Sequence, residues 1–227
     1  MEYIKHLSKD RKFKKLIDSD KPLKLVKKKN IHLHLCGSIM SQQLSTKVAD
    51  IIYDRFLKLF DVKEPTPEMI LAIPFETLMA IGMSRAKTNY VRNVAAFARE
   101  EGMDHLKLNK MSNEEVIEYL TRIKGVGRWT VEMLLMFTLG REDVFALEDL
   151  GIQNAMIKLY KLDNTDRKQF RAELLEISQR WSPYRTYACM HLWRWKDGGK
   201  EDKQENRKST TKAGRKKPGK ADRKPRK

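Results

Sequence analysis

The chain has 227 residues, 41% of them apolar, with 47 Lys and Arg against 30 Asp and Glu for a formal net charge of +17. Apolar content of this order builds one medium domain or two small lobes, and the positive excess points to a polyanionic partner, most simply nucleic acid. Only two cysteines are present, Cys36 and Cys189, which excludes a disulfide framework and a four-cysteine iron–sulfur cluster and leaves no Cys/His spacing for zinc. Both sit in apolar helical context and read as buried free thiols. There is no signal peptide and no apolar run of about 18 residues, so the expected location is cytoplasmic, with no membrane role.

The charge is unevenly distributed. Residues 206–227 hold 11 Lys and Arg and one Asp, a net of +10, leaving +7 for the rest of the chain. In chain order, residues 2–17 read as one basic amphipathic helix with Ile4, Leu7, Phe13, Leu16 and Ile17 on its apolar side, broken from Asp18 to Pro22. Residues 31–60 read as one or two buried helices patterned by Ile39, Leu44, Val48, Ile51, Ile52 and Phe56. His32 and His34 in this run read as structural residues rather than ligands. Thr66 and Pro67 form a cap and first turn, and Pro74 opens the next short helix. Ile81 to Lys87 turns into a long helix through about Arg99. Ser112 and Glu115 make a capping box ahead of residues 112–121. An almost wholly apolar helix runs from about Arg128 to Leu139. Helices over 150–161 and 165–181 follow, and a last one ends at Trp195. No strand alternation occurs, so the expected class is all-α. From Lys196 onward no side chain is aromatic or aliphatic beyond alanine, which marks 196–227 as a disordered basic tail outside a domain spanning 1–195.

Two features lie close together in the middle. Ile123-Lys124-Gly125-Val126-Gly127 is a Gly-x-Gly turn between two helical patterns. Glycines permit a tight reversal and close approach of backbone to a partner, and the helix that opens after Gly127 presents free amides to an anion. Lys124 and Arg128 flank it with positive charge. The turn fits either a plain helix–helix connection or a grip on a DNA phosphate. Asp149 follows Gly125 by 24 positions. It stands just before the apolar pattern Leu150, Ile152, Ala155, Met156, Leu159, where it suits an N-cap. A capping carboxylate and a catalytic one are compatible roles, since helix N-terminal amides favour negative charge. Neighbouring Glu148 is expected to point elsewhere.

The hairpin, the spacing to Asp149, the phrase Asp143-Val144-Phe145 … Glu148-Asp149-Leu150, the segment Ser38 to Ser45 with its Gln42-Gln43 pair, the turn Gly82-Met83-Ser84 … Lys87, and Trp181-Ser182-Pro183-Tyr184-Arg185-Thr186-Tyr187-Ala188 together resemble the helix-hairpin-helix (HhH-GPD) DNA glycosylases. The likeness covers roughly residues 30–195 and is closest to the DNA-3-methyladenine glycosylases. It implies two helical lobes, roughly 40–155 (inner) and 1–39 with 156–195 (outer), with the helix-hairpin-helix motif at the cleft. It further implies a monomer, nucleoid-associated, acting in base excision repair on double-stranded DNA with alkylated bases. Asp149 would be the catalytic carboxylate, and Trp129 and Trp193 would line the base pocket. Met133 stands there too, where relatives often carry an aromatic residue. Lys124, Gly125, Val126, Gly127, Arg128 and Thr130 would contact DNA, and the loop of Gln42 and Gln43 would enter the duplex. Backbone carbonyls of Thr121, Ile123 and Val126 would hold a monovalent cation; no other cofactor is implied. Strand-cutting members carry a lysine where this chain has Trp129, so no lyase activity is expected.

The chemistry suits one acid. A purine alkylated at a ring nitrogen is cationic and leaves readily once flipped from the stack. The enzyme must then chiefly stabilise positive charge on the sugar, for which one carboxylate suffices. Stacking on an aromatic face would add a cation–π attraction of about 0.5–2 kcal/mol. Two other readings remain: a glycosylase for a neutral base such as hypoxanthine, uracil or a mismatched pyrimidine, and a non-catalytic helix-hairpin-helix module that only grips backbone.

Overall fold

Helices begin in this chain where a side chain takes over the free amides of a first turn. The computed structural model describes residues 1–17 and 22–196, and all its regular elements are helical. They are α1 (Glu2–Leu7), α2 (Arg11–Ile17), α3 (Ile31–Ser41), α4 (Thr46–Leu57), α5 (Pro67–Ala72), α6 (Phe75–Ala80), α7 (Arg85–Glu100), α8 (His105–Leu108), α9 (Asn113–Thr121), α10 (Arg128–Phe137), α11 (Leu150–Tyr160) and α12 (Arg167–Gln179), followed by α13 over residues 185–196. Thr66, Ser84, Asp104, Ser112, Asp149 and Asp166 each accept a hydrogen bond from a first-turn amide of the helix they precede. Ser112 and Glu115 form the expected capping box in both directions. Such caps contribute about 0.5–2 kcal/mol each.

Two expectations need correction. Residues 2–17 are not one helix: the chain breaks after Leu7, and the Asp10 carboxylate accepts from the amides of Lys12 and Phe13 to start α2 afresh. The apolar side of α4 is not uniformly buried either. Ala49, Ile52 and Phe56 face the core, while Val48 and Ile51, and Leu44 ahead of the helix, are exposed; α4 packs on α3. Of the break expected from Asp18 to Pro22, residues 18–21, and of the tail expected over 196–227, residues 197–227, lie outside the described residues. Lys196 closes α13. No helix among the described residues is long and apolar enough to cross a membrane.

One group of helices centres on α7, which packs against α3, α5 and α6, with α10 against α3 and α9. α3 lies in this group, although a division at residue 39 would assign most of it outward. A second group joins the chain ends. The Tyr3 ring of α1 stacks on Tyr187 of α13 with centroids 4.0 Å apart and planes 3° from parallel, and Phe13 of α2 meets the buried Trp181. Cys36 and Cys189 are buried free thiols, and burial pushes both up to about 12.

The loop between α10 and α11 is stitched to α13. Arg185 holds the Asp143 carboxylate through two bonds, of 2.6 and 3.0 Å, and Ser182 donates to it as well. Burial alone would raise the Asp143 carboxyl, but these donors outweigh it and hold it below its usual value. Thr186 accepts from the Val144 amide and donates to the Arg141 carbonyl. The position where the loop delivers its last residue, Asp149, is thereby fixed against α13.

The hairpin between α9 and α10 is equally constrained. Gly125 has φ +102°, a conformation L side chains rarely adopt, and the Tyr90 ring of α7 occupies the space a Cβ would need. Both causes act on one atom, so Gly125→Ala is expected to destabilise the fold by at least about 2 kcal/mol, measurable as a lowered midpoint in urea unfolding.

Candidate active site

Asp149 is the N-cap of α11, its Oδ1 accepting from the Ile152 amide at 2.8 Å. Two indoles converge on the same carboxylate. Trp193 of α13 donates its Nε1–H to Oδ1 at 3.0 Å, and Trp129 of α10 donates to Oδ2 at 2.8 Å. Three N–H groups from three helices thus hold one negative charge. A carboxylate offers about four acceptor positions, so the arrangement leaves one open, on Oδ2. Glu148 turns away to pair with Arg171.

Gly151 makes this geometry possible. A Cβ there would stand 2.9 Å from Asp149 Oδ1, 3.0 Å from Lys196 Nζ and 3.3 Å from Trp193 Cδ1. The bare backbone lets carboxylate, amine and indole share one small space. Lys196, which composition alone assigned to the tail, belongs to this neighbourhood.

Trp129, Met133 and Phe137 recur at four-residue intervals and so share one face of α10. Trp129 is 44% exposed and Phe137 36%. Phe137 also lies against Trp193, with centroids 5.9 Å apart. Met133 is half-buried on the core. Phe137 escaped the sequence reading, although its i+4 spacing from Met133, two such steps from Trp129, is a signal that finds it.

The hairpin residues fall into distinct roles. Gly127 caps α10 with no side chain, and the space beside it is open, so no side-chain cap competes with an anion for the first amides of α10. Lys124 is exposed, and its carbonyl accepts from Asn93 at 3.1 Å. Val126 and Thr130 are buried, so each offers only backbone to a partner. The Arg128 side chain is already engaged, bonded twice to Glu114 and once to Glu132. Among the three carbonyls expected to hold a cation, that of Ile123 accepts the Val126 amide at 2.9 Å. Gln42 is half-buried, and Gln43 is exposed with φ +58°.

A second carboxylate was not anticipated. Glu132 lies one turn after Arg128, and only 2% of its surface is exposed. Oε1 accepts from Arg128 at 3.0 Å, and Oε2 has no partner. It opens on a cavity of about 380 Å³ shared with Glu114, Arg128, Asp143, Glu148 and Arg185. Burial pushes the Glu132 carboxyl above its usual value, Arg128 notwithstanding. The folded state therefore keeps this proton to higher pH than the unfolded chain, and stability falls as pH rises from 4.5 through the folded value. Glu132→Gln is expected to flatten that decline, as read from urea midpoints at successive pH values above 4.5.

Comparison with known proteins identifies the family. Residues 36–180 match the model of the HhH-GPD superfamily of base excision DNA repair proteins. A DNA-3-methyladenine glycosylase of Schizosaccharomyces pombe is 38% identical over 183 residues, covering 79% of this chain and 78% of the relative. The structure of a 3-methyladenine DNA glycosylase from the same yeast, in complex with abasic DNA, superposes with a TM-score of 0.74 at 35% identity, covering 86% of this chain and 96% of that one. A DNA-3-methyladenine glycosidase from Bacillus halodurans also gives a TM-score of 0.74, at 34% identity, with 84% and 87% covered. The capped carboxylate behind a glycine hairpin thus sits in a fold with documented kin, and the chain belongs to the HhH-GPD superfamily of base excision DNA repair proteins.

Proposed function

We propose that this protein is a monofunctional DNA glycosylase that hydrolyses the N-glycosidic bond of alkylated purines, of the 3-methyladenine and 7-methylguanine kind, in double-stranded DNA. The observation that carries this reading is the Asp149 carboxylate, held by three neutral N–H donors with one acceptor position left on Oδ2. Neutral donors fix the group without cancelling its charge, which stays available to a cationic sugar.

The hairpin grips phosphate through the free amides of α10, with Lys124 adding charge. A monovalent cation on the carbonyls of Thr121, Ile123 and Val126 would add positive charge at the same place. The flipped base lies along the aromatic face of Trp129 and Trp193. Its positive ring draws the glycosidic electron pair as the C1′–N bond breaks, and Asp149 steadies the resulting oxocarbenium ion. Water then bonds to C1′ and releases its proton through Oδ2 to solvent. An intact abasic strand and a free base are the products. The relatives named above for 3-methyladenine support the substrate class, and the exposed indole of Trp129 suits a cationic, electron-poor ring.

Asp149→Asn is expected to slow base release from methylated DNA by at least about a hundredfold while duplex affinity is retained; release at the original rate removes Asp149 from the mechanism. Gly151→Ala separates positioning from stability. Alanine favours a helix over glycine by about 0.5–1 kcal/mol and the displaced Asp149 cap costs about 0.5–2 kcal/mol, so unfolding stability should fall by no more than about 1.5 kcal/mol, whereas the displaced carboxylate should lower kcat about tenfold or more. Borohydride should trap no covalent complex with alkylated duplex; a trapped adduct would identify an amine at the site, with Lys196 the first to map.

A further inference from the structure

Three successive positions on one side of α7 hold two separate pieces of backbone. Lys87 Nζ donates to the carbonyls of Met40 at 2.9 Å and Gln42 at 2.7 Å, at the C-terminal end of α3. Tyr90 packs its ring on Gly125. Asn93 donates to the Lys124 carbonyl. Residues three apart are neighbours on a helix surface, and at 1.5 Å rise per residue the three span roughly 9 Å along the axis. That is well under the width of a duplex, so hairpin and loop are close enough for one duplex to span both.

The placement of Lys87 is informative. It lies in the first turn of α7, just after the Ser84 cap that accepts from its amide. A cation there opposes its own helix dipole. It is favourable only with respect to α3, whose last carbonyls lack intrahelical partners. Lys87 thus serves another element than its own. What it secures is a turn in which Gln43 adopts a left-handed φ of +58° with its side chain exposed, a conformation that a glutamine holds only under constraint from its surroundings.

We propose that Lys87 is a positioning residue that presets the Gln42–Gln43 loop, at a fixed offset from the hairpin, so that the exposed glutamine enters the duplex where the base leaves it. The inference rests on the glycosylase reading above. The loop is presented ready-made, so the ordering that would otherwise accompany strand separation has already been done in folding. Loss of the clamp should slow extrusion of the base and leave backbone grip and the chemical step untouched.

The test compares Lys87→Met and Lys87→Arg with the unaltered protein on a duplex carrying 7-methylguanine beside 2-aminopurine. Four quantities are read: duplex affinity by anisotropy, 2-aminopurine brightening as the stack opens, rate of 7-methylguanine release, and thermal midpoint. The expected result for Lys87→Met is unchanged affinity and midpoint, loss of the brightening, and release slowed about tenfold or more. Lys87→Arg, which keeps charged donors, should recover most of both signals. Brightening and release at the original rates in Lys87→Met would overturn the proposal, as would a loss of activity that only tracks a loss of midpoint. If Lys87→Met does not fold, Lys87→Gln, polar but too short to reach both carbonyls, replaces it in the comparison. If the unaltered protein itself releases no base, the glycosylase reading fails, an outcome separate from failure of the clamp.

Discussion

The structure turns on one carboxylate and the three N–H groups that hold it. The donors to Asp149 are the Ile152 amide of α11, the Trp129 indole of α10 and the Trp193 indole of α13. A single charge therefore connects three helices, and each helix has its own reason to be where it is. α11 starts there because Asp149 caps it. α10 starts where glycines end the hairpin. α13 is drawn in by Arg185 and Thr186, which fasten the preceding loop. A buried cation in place of the indoles would have held the acid as firmly but cancelled the field that a developing positive sugar needs. Holding the group with neutral donors reconciles rigidity with electrostatic use.

A second constraint sets the hairpin against the Gln42–Gln43 loop. The hairpin rests on Tyr90 and Asn93, and the Gln42–Gln43 loop rests on Lys87, so α7 fixes the distance between them. Gly125 is needed because the Tyr90 ring stands where a side chain would be. Gly127 is different: its surroundings are open, and what matters there is the free amides that follow it. The two glycines of one short motif thus answer to different requirements, one steric and internal, the other facing a ligand.

Local signals proved legible wherever a residue acts on its immediate neighbours. The caps at Thr66, Ser112 and Asp149 were readable because a side chain bonding an amide two or three residues on depends on little beyond that stretch. The same reasoning failed where two local rules compete. In residues 2–17 the apolar spacing favoured one helix, but Asp10 bonds the next turn's amides and divides it. In α4 the chain offers one broad apolar face, and only packing decides that Ile52 and Phe56 are buried while Val48 and Ile51 at its edge are exposed. Beyond its place at the hairpin, Arg128 also bonds Glu114 and Glu132, which its position alone does not reveal.

By itself, the sequence determined the all-helical class, the glycine hairpin, the acid 24 residues beyond Gly125, and a strongly basic partner-facing character. These follow from periodicity, capping chemistry and charge, which act over a few residues or over the whole composition. Only the tertiary structure decided that two tryptophans 64 residues apart aim their N–H groups at one carboxylate, that Phe137 and Lys196 join that neighbourhood, that Glu132 is buried beside it, and that Lys87 serves a loop outside its own helix. Each of those relations links residues far apart in the chain. Spacing along a sequence carries no record of such distances until the helices have packed.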